Sequence, residues 1–270
     1  MKTKGYFASR AAVAAMLLVG GALSTQAAMA CQLTAWNGGL SPTNAPTPGS
    51  PSPDGIARYA GLCAMQAADG AVSYVQDNSP GGITRIVARF YVLANNSEDA
   101  IVYEGLDGTS TVFDVTVAAD GAVTLSSGSQ NISTAGNAGK WNSIEIDWTS
   151  GDALSLIVNG GNAATGTGAA AGTLDSVRLG NIDGAAGTLN FDAYESRRST
   201  AVGRLCRGEV TGDGTRTNDD VLEIFNVEVA SGGFNLVTGQ PDFTEDGLVT
   251  NDDVLDLFNN VVSLGLGECP

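Results

Sequence analysis

The sequence predicts a mainly β protein that ends in a small all-α domain. Residues 31–200 contain short runs in which apolar and polar residues alternate, separated by Gly, Asn and Asp, a pattern typical of β-strands and turns. Residues 201–270 are acidic and repeat one nine-residue segment, as Thr217–Phe225 and Thr250–Phe258. Residues 1–30 have the composition of an export signal, so we expect them to be absent from the mature chain.

The N-terminal segment has the three parts of a secretory signal peptide. It begins with three basic residues, Lys2, Lys4 and Arg10. An apolar run follows, Ala11–Leu23, and the segment ends in Ala-Met-Ala at Ala30. Because this run is shorter than the roughly 20 residues that a membrane-spanning helix needs, we predict a secreted or cell-surface protein without a membrane span. The small residues before Cys31 favour ordinary cleavage over lipidation of that cysteine.

Four cysteines remain in the mature chain: Cys31, Cys63, Cys206 and Cys269. An even number in an exported protein indicates disulfides. Three pairings are open, and we favour the one between nearest neighbours, Cys31 with Cys63 and Cys206 with Cys269.

The composition excludes several classes of function. Histidine is absent, which excludes Ser-His-Asp catalysis, a histidine general base and a histidine-containing zinc site. Loss of the three basic residues of the signal changes the formal net charge from −16 to −19, so nucleic acid and anionic membranes are poor partners. Residues 206–270 hold 13 acidic residues against 2 basic ones. Such a tail is either disordered or binds cations.

Six alternating runs predict the strands of an all-β domain. In the first run, Ile86, Ala88 and Phe90 fall on one face, and Arg85 and Arg89 fall on the other. At about 170 residues the region is large enough for a core of its own. The runs are Ile83–Leu93, Ser110–Ala118, Lys140–Trp148, Leu154–Gly160, Leu174–Gly180 and Gly187–Tyr194.

The stretch Ser41–Gly55 holds five of the eight prolines. Pro-rich segments are stiff and extended, so this stretch is either a linker or a long surface loop. Because it lies between Cys31 and Cys63, we favour the surface loop, closed at its ends by that disulfide.

Each copy of the repeat closes a loop with oxygen-bearing residues at alternating positions, and the two copies are 33 residues apart. Both loops have glycine at position 6, Gly214 and Gly247, and oxygen donors at positions 1, 3, 5, 7, 9 and 12, as calcium loops do. The first set is Glu209, Thr211, Asp213, the Thr215 carbonyl, Thr217 and Asp220. The second set is Asp242, Thr244, Asp246, the Leu248 carbonyl, Thr250 and Asp253.

Each loop continues as a short helix. The residues Asn218–Asp220 and Asn251–Asp253 supply capping oxygens and negative charge to the first turns. An apolar stripe at i, i+1 and i+4 predicts that one helix packs against the other. The stripe residues are Val221, Leu222 and Phe225 in the first helix, and Val254, Leu255 and Phe258 in the second.

On these loops and helices, residues 206–269 resemble a type I dockerin, and especially the cysteine-bracketed dockerin-like tails of bacterial exported proteins. The resemblance implies two Ca2+ sites and a cohesin-like or cell-surface docking partner. Thr211 and Thr244 stand where dockerins usually have Asn, and Glu209 replaces the first Asp. We therefore expect the first site to be the weaker one. The alternative is an acidic solvated tail with coincidental periodicity.

The order KWNSIEIDW, LSLIVNGG, DSVRLGN and LNFDAYESRR resembles a laminin-G-like or concanavalin-like jelly roll, a β-sandwich whose members bind glycans or proteins or cleave polysaccharides. Glu145 and Asp147 share a strand face and are the strongest catalytic candidates. The glucanases of that family carry a third acid where this chain has Ser150, so we favour two acids on a solvated strand. We expect the tryptophans, Trp36, Trp141 and Trp148, to be core residues rather than sugar platforms.

Together these observations predict an exported, non-enzymatic recognition or adhesion protein. Its jelly-roll β-sandwich, residues 31–200, would bind a partner such as a glycan. Its tail of two calcium loop-helix repeats, residues 201–270, would attach it to a surface or scaffold. The alternatives are a secreted polysaccharide-active glycoside hydrolase with the same tail, and a structural surface or matrix protein.

Overall fold

The computed structural model describes residues 31, 33, 36–37, 45–49, 55–232, 237 and 239–269. The predicted signal peptide, residues 1–30, lies outside the described residues, as does most of the Pro-rich stretch. The described part of that stretch includes a short strand, Thr47–Gly49, where the sequence predicts only a loop. Among the described residues, no helix is long and apolar enough to span a bilayer.

The described part of the chain folds into two antiparallel sheets that stack as a β-sandwich, which confirms the mainly β prediction. The seven-stranded sheet has the order β1-β2-β13-β4-β9-β10-β11, and the six-stranded sheet has the order β3-β12-β5-β6-β7-β8. The strands are β1 (Thr47–Gly49), β2 (Ala64–Ala67), β3 (Ser73–Asp77), β4 (Arg85–Asn96), β5 (Ala100–Asp107), β6 (Ser110–Val117), β7 (Val123–Ser127), β8 (Gln130–Thr134), β9 (Trp141–Thr149), β10 (Ala153–Val158), β11 (Ala164–Thr167), β12 (Ser176–Asn181) and β13 (Gly187–Arg197). All six predicted runs are strands.

The core lies between the two sheets and follows the predicted alternation. In β4, Ile86, Ala88 and Phe90 are completely buried, and their register partners in β9 include Ile146 and Trp148. Burying these apolar side chains supplies the main stabilisation of the sandwich.

The tryptophan predictions are confirmed for the two tryptophans of β9. Trp148 is completely buried in this core, and its indole nitrogen donates to the Ser127 hydroxyl at 3.1 Å. Trp141 is also completely buried, but on the opposite, outer face of the sheet. Trp36 is partly buried against Tyr194, with ring centroids 4.9 Å apart.

The C-terminal region contains two short α-helices, α1 (Asn218–Glu223) and α2 (Asn251–Asn260). A π-helical turn, Ile224–Glu228, and a 3-10 turn, Val229–Ser231, follow α1, and a 3-10 turn, Val262–Leu264, follows α2.

The N-caps of α1 and α2 lie one residue earlier than the sequence predicts. The hydroxyls of Thr217 and Thr250 accept from the amides of Asp219 and Asp252 at 3.1 and 3.2 Å. Each threonine has an extended backbone, so the helix begins at the next residue. Its hydroxyl faces the first turn and forms part of a capping box.

The predicted packing stripe is wrong for four of its six residues. Leu222, Phe225, Leu255 and Phe258 are 42–55% exposed. The small core of this region instead contains Ile224 and Leu257, with Val221 and Val254 packed beside it. The helices therefore turn the positions i and i+3 inward, toward the loop residues Val210, Phe243 and Val249 of the same core. The four exposed side chains form a surface, which we call the helix face.

Both predicted disulfides are formed, Cys31–Cys63 and Cys206–Cys269. The second joins the ends of the C-terminal region across a sequence separation of 63 residues. Closing a loop of that length stabilises a fold by about 4 kcal/mol in the chain-entropy model. That contribution matters here because the apolar core of the region is small.

Candidate functional site

The last predicted ligand of each loop, Asp220 or Asp253, is completely buried at the loop's centre. The Asp220 carboxylate accepts from the amide of Thr211 at 3.1 Å. The Asp253 carboxylate accepts from the amide of Thr244 at 2.8 Å. Position 12 of each loop is thus held beside position 3, as the predicted ligand sets require.

The second loop concentrates negative charge away from water. Asp242 is completely buried, and its carboxylate accepts from the amides of Asp246 and Gly247 at 3.1 and 2.7 Å. Burial, followed by the nearby carboxylates of Asp253 and Asp246, raises the pKa of Asp242 to about 8. Burial also raises the pKa of Asp253. Ionising these groups together is unfavourable unless a cation neutralises them.

One buried oxygen in this loop lacks a well-aligned hydrogen bond. The Thr244 hydroxyl, at loop position 3, lies beside the Asp253 carboxylate but in poor hydrogen-bond geometry. None of the ion pairs among the described residues includes Asp242, Asp246 or Asp253. A hydroxyl among buried carboxylates is a set of hard oxygen atoms, the ligands that calcium prefers.

The individual calcium contacts stay a prediction. Within the described ranges, no group of three or more His, Cys, Asp or Glu side chains is arranged to hold a metal ion. The carboxylates of the loops are directed at backbone amides instead, as described above. The fit of the second loop to calcium rests on the oxygen chemistry and the burial of its side chains alone.

The first loop has the same connectivity but is open to solvent. Thr211, Asp213 and Thr215 are exposed. The Thr211 hydroxyl donates to Asp220 at 3.1 Å, whereas its counterpart Thr244 lacks a well-aligned hydrogen bond. The Glu209 carboxylate accepts from the amide of Asp213 at 3.2 Å. An exposed loop constrains its ligands less, and the weaker first site stays a prediction.

The second loop also holds the C-terminal region onto the sandwich, which the sequence did not predict. The buried Glu245 carboxylate accepts from the Tyr59 hydroxyl at 3.1 Å and from Arg207 at 3.2 Å, and it pairs with Arg204. Its backbone carbonyl accepts from the amide of Trp141 at 2.7 Å. Glu245 lies between ligand positions 3 and 5, so this docking contact is part of the loop.

The backbone of Glu245 is in the left-handed region, with φ of 61°. The corresponding position of the first loop is Gly212, with φ of 83°. The loop thus needs a positive φ at position 4, and glycine adopts it without strain. A glutamate at such a position costs about 1 kcal/mol, which its side-chain contacts offset. This substitution within the repeat is the sequence signal that could have revealed the docking residue.

Two further contacts bring the second loop against the outer face of the seven-stranded sheet. The Lys140 ammonium donates to the Thr244 carbonyl at 2.9 Å. Gly247 lies so close to Leu93 that an added Cβ would come within 2.6 Å of a leucine methyl. The loop therefore covers Trp141, Leu93 and their neighbours Tyr59 and Tyr91, which form a buried apolar cluster.

The two catalytic candidates share the outer face of β9, as predicted, but both are engaged structurally. The Glu145 carboxylate accepts from the amides of Val202 and Gly203 at 3.0 and 2.6 Å. The Asp147 carboxylate forms a bidentate pair with Arg85 at 2.7 and 3.0 Å. Glu145 therefore holds the segment that leads to the C-terminal region, and Asp147 holds the Arg85 side chain.

Comparison with known proteins gives low similarity. No protein-family model matches the sequence, and no curated protein matches it significantly. Solved structures that match part of this chain include the receptor-binding domain of botulinum neurotoxin C/D mosaic serotype (11% identity, 51% of this chain and 40% of that chain, TM-score 0.40). Others are the botulinum neurotoxin type G receptor-binding domain (11%, 57% and 44%, 0.41) and mouse laminin alpha1 LG4-5 (14%, 49% and 40%, 0.37).

This chain spans less than half the length of those three structures. At these identities and scores the similarity does not extend to function. The assignment of a β-sandwich comes from the two stacked sheets themselves.

Proposed function

We propose that the chain is an exported, non-enzymatic recognition protein, attached to a surface or scaffold through a calcium-binding, dockerin-like tail. The main support is the second loop, in which the carboxylates of Asp242 and Asp253 are fully buried and the buried Thr244 hydroxyl lies beside Asp253. Calcium would be held by the oxygens of this loop and, more weakly, by those of the first loop. It would neutralise carboxylates that otherwise repel one another.

The helix face supports an attachment role for the tail. Its four apolar side chains are exposed, and Leu222 and Phe225 are repeated at the same spacing as Leu255 and Phe258. Acidic side chains in the first turns, Asp219 and Asp252 among them, flank the face, and neither helix has a basic residue in its last turn. An exposed apolar patch of this kind favours protein binding. The partner would be a cohesin-like protein whose apolar surface is bordered by basic residues.

The β-sandwich would be the recognition domain, with polysaccharide as a candidate ligand. The hydrolase alternative has less support, because Glu145 and Asp147 both make structural contacts and the third acid position is Ser150. The structural-matrix alternative differs from our proposal in having no small ligand.

Attachment is testable by fractionating producing cells in calcium and in chelator. We expect the wild-type chain to stay with the surface fraction in calcium and to be released by the chelator. The double variant Phe225→Asp, Phe258→Asp should be released even in calcium, because both halves of the helix face carry a charge. Its melting temperature should stay close to the wild-type value, since both positions are exposed.

The matched control is Val72→Asp, which places a charge at an exposed apolar position of the sandwich. This variant should be retained like the wild type. Release of the wild-type chain in both conditions would contradict the attachment role.

A further inference from the structure

A cleft lies between the outer face of the seven-stranded sheet and the second loop. Its volume is about 330 Å³, near the lower end of the roughly 300–1,000 Å³ typical of small-ligand pockets. Strands β2, β13 and β4 form its floor, and residues 246–249 of the loop form a wall. Its floor carries the polar side chains Gln66, Asn95, Thr188 and Asn190.

Asn190 is the most informative residue of the cleft, because it is only 4% exposed and yet lines the cavity with a polar side chain. Its side-chain oxygen accepts from the Gln66 amide nitrogen at 2.9 Å. None of the hydrogen bonds among the described residues uses its own amide nitrogen. Because Asn190 lines the cleft, that NH2 group is a candidate donor to a ligand bound there.

The strand register arranges the other polar groups around this donor. Asn190 is paired with Gln66 on one side and with Leu93 on the other, and Thr188 is paired with Asn95. The side-chain amides of Gln66, Asn190 and Asn95 and the hydroxyl of Thr188 therefore lie side by side on the adjacent strands β2, β13 and β4. Elsewhere under the C-terminal region the same face carries the aromatic residues Tyr59, Tyr91 and Trp141 beside the buried charged residues Arg89 and Glu145.

We propose that this cleft binds a neutral, hydroxyl-rich ligand, namely a saccharide unit. The side-chain amides offer donors and acceptors beyond the bond between Gln66 and Asn190, which matches neighbouring sugar hydroxyls that both donate and accept. The charged residues among the lining groups are Asp246 and the largely buried Arg58, one of each sign. Leu93 and Leu248 supply apolar surface for a sugar ring. This inference rests on the proposed recognition role of the β-sandwich.

An extended peptide is a poorer fit. A peptide that adds to a sheet needs an unpaired strand edge. The floor strands β2, β13 and β4 are each paired on both sides, β2 with β1 and β13, β13 with β2 and β4, and β4 with β13 and β9. Only their side chains are available, which favours a compact ligand.

The cleft is composite, since its wall belongs to the second loop. Asp246 is also a predicted ligand of the second calcium site, and Gly247 packs against Leu93 at the cleft's edge. The saccharide would therefore contact both the sandwich and the tail, and the complete chain is needed to form its site.

The test uses the mature chain, residues 31–270, in calcium-containing buffer on an array of neutral oligosaccharides. The best binder is then titrated by calorimetry against the wild type and the double variant Asn95→Ala, Asn190→Ala. We expect affinity to fall roughly 30-fold, the effect of losing two ordinary hydrogen bonds. Asn131→Ala, at an exposed position of β8 in the other sheet, is the matched control and should bind like the wild type. Thermal melts confirm that each variant is folded.

The outcomes separate this inference from the proposed function. Loss of binding in the double variant alone supports the cleft. Unchanged binding in that variant overturns the cleft but leaves the recognition role in place. If no saccharide binds the wild type, both the cleft and glycan recognition are overturned, whereas attachment through the tail is tested separately by fractionation. A folded double variant that loses binding to a peptide array instead would overturn the assignment of a saccharide.

Discussion

Replacing Glu245 with Ala should detach the C-terminal region from the sandwich and lower the free energy of unfolding by about 3 kcal/mol. The variant leaves the Tyr59 hydroxyl and the Arg204 and Arg207 guanidinium groups without their shared carboxylate in a partly buried interface. Urea unfolding would measure the change in stability. Hydrogen exchange would measure detachment at the Trp141 amide, which donates to the Glu245 carbonyl and should lose protection.

Two further variants separate the side chain from the backbone at this position. Glu245→Gly removes the same carboxylate but adopts the positive φ freely, so it should be about 1 kcal/mol more stable than Glu245→Ala. Glu223→Ala, at an exposed position of α1, should change stability by no more than about 0.5 kcal/mol. Wild-type protection of Trp141 in Glu245→Ala would show that the docking contact is dispensable.

Replacing Asp253 with Asn should remove the calcium-dependent part of the stability that the second loop provides. Asp253 closes this loop through the Thr244 amide and caps α2 through the Thr250 amide at 2.7 Å. In chelator the variant should lose about 2 kcal/mol from these weakened hydrogen bonds. In calcium the variant should lose more stability than in chelator, because it also loses the bound calcium. A ligand present at 100 times its Kd adds about 2.7 kcal/mol to the free energy of unfolding.

The matched variant is Asp220→Asn, which occupies the same position in the first loop. Its carboxylate makes the equivalent contacts to the amides of Thr211 and Thr217, so its loss in chelator should be similar. Its additional loss in calcium should be smaller, because the first loop is exposed. Thermal melts of both variants with calcium and with chelator measure these differences. An equal loss for Asp253→Asn in the two buffers would show that the carboxylate has only a structural role.

Much of the fold was predictable because local patterns and tertiary burial agree. The six predicted runs alternate cleanly, since one face of each meets the core. Strand β5, Ala100–Asp107, was not predicted, because Val102 to Leu106 are nearly all buried on both faces and the run contains Glu104 and Gly105. The short strands β1 and β11 contain too few apolar residues to show the alternation of apolar and polar residues that predicts a strand.

The candidate site was predictable in its loops but not in its surroundings. The repeat aligns the two ligand sets residue by residue, and the buried position of Asp220 and Asp253 agrees with that alignment. Which apolar residues of a short helix face inward depends on how the helices pack, so the stripe was assigned to the wrong residues. The docking of Glu245 and the amides of the cleft come from contacts between distant parts of the chain, and no local spacing encodes them.

A calorimetric titration of the metal-free mature chain with calcium tests the central claim most directly. We predict two binding events, the tighter one belonging to the second loop and absent in Asp253→Asn. The complete chain is required, because the second loop is docked on the sandwich through Glu245. Absence of calcium-dependent heat, together with the same melting temperature in calcium and in chelator, would contradict the assignment of the tail as a calcium-binding module.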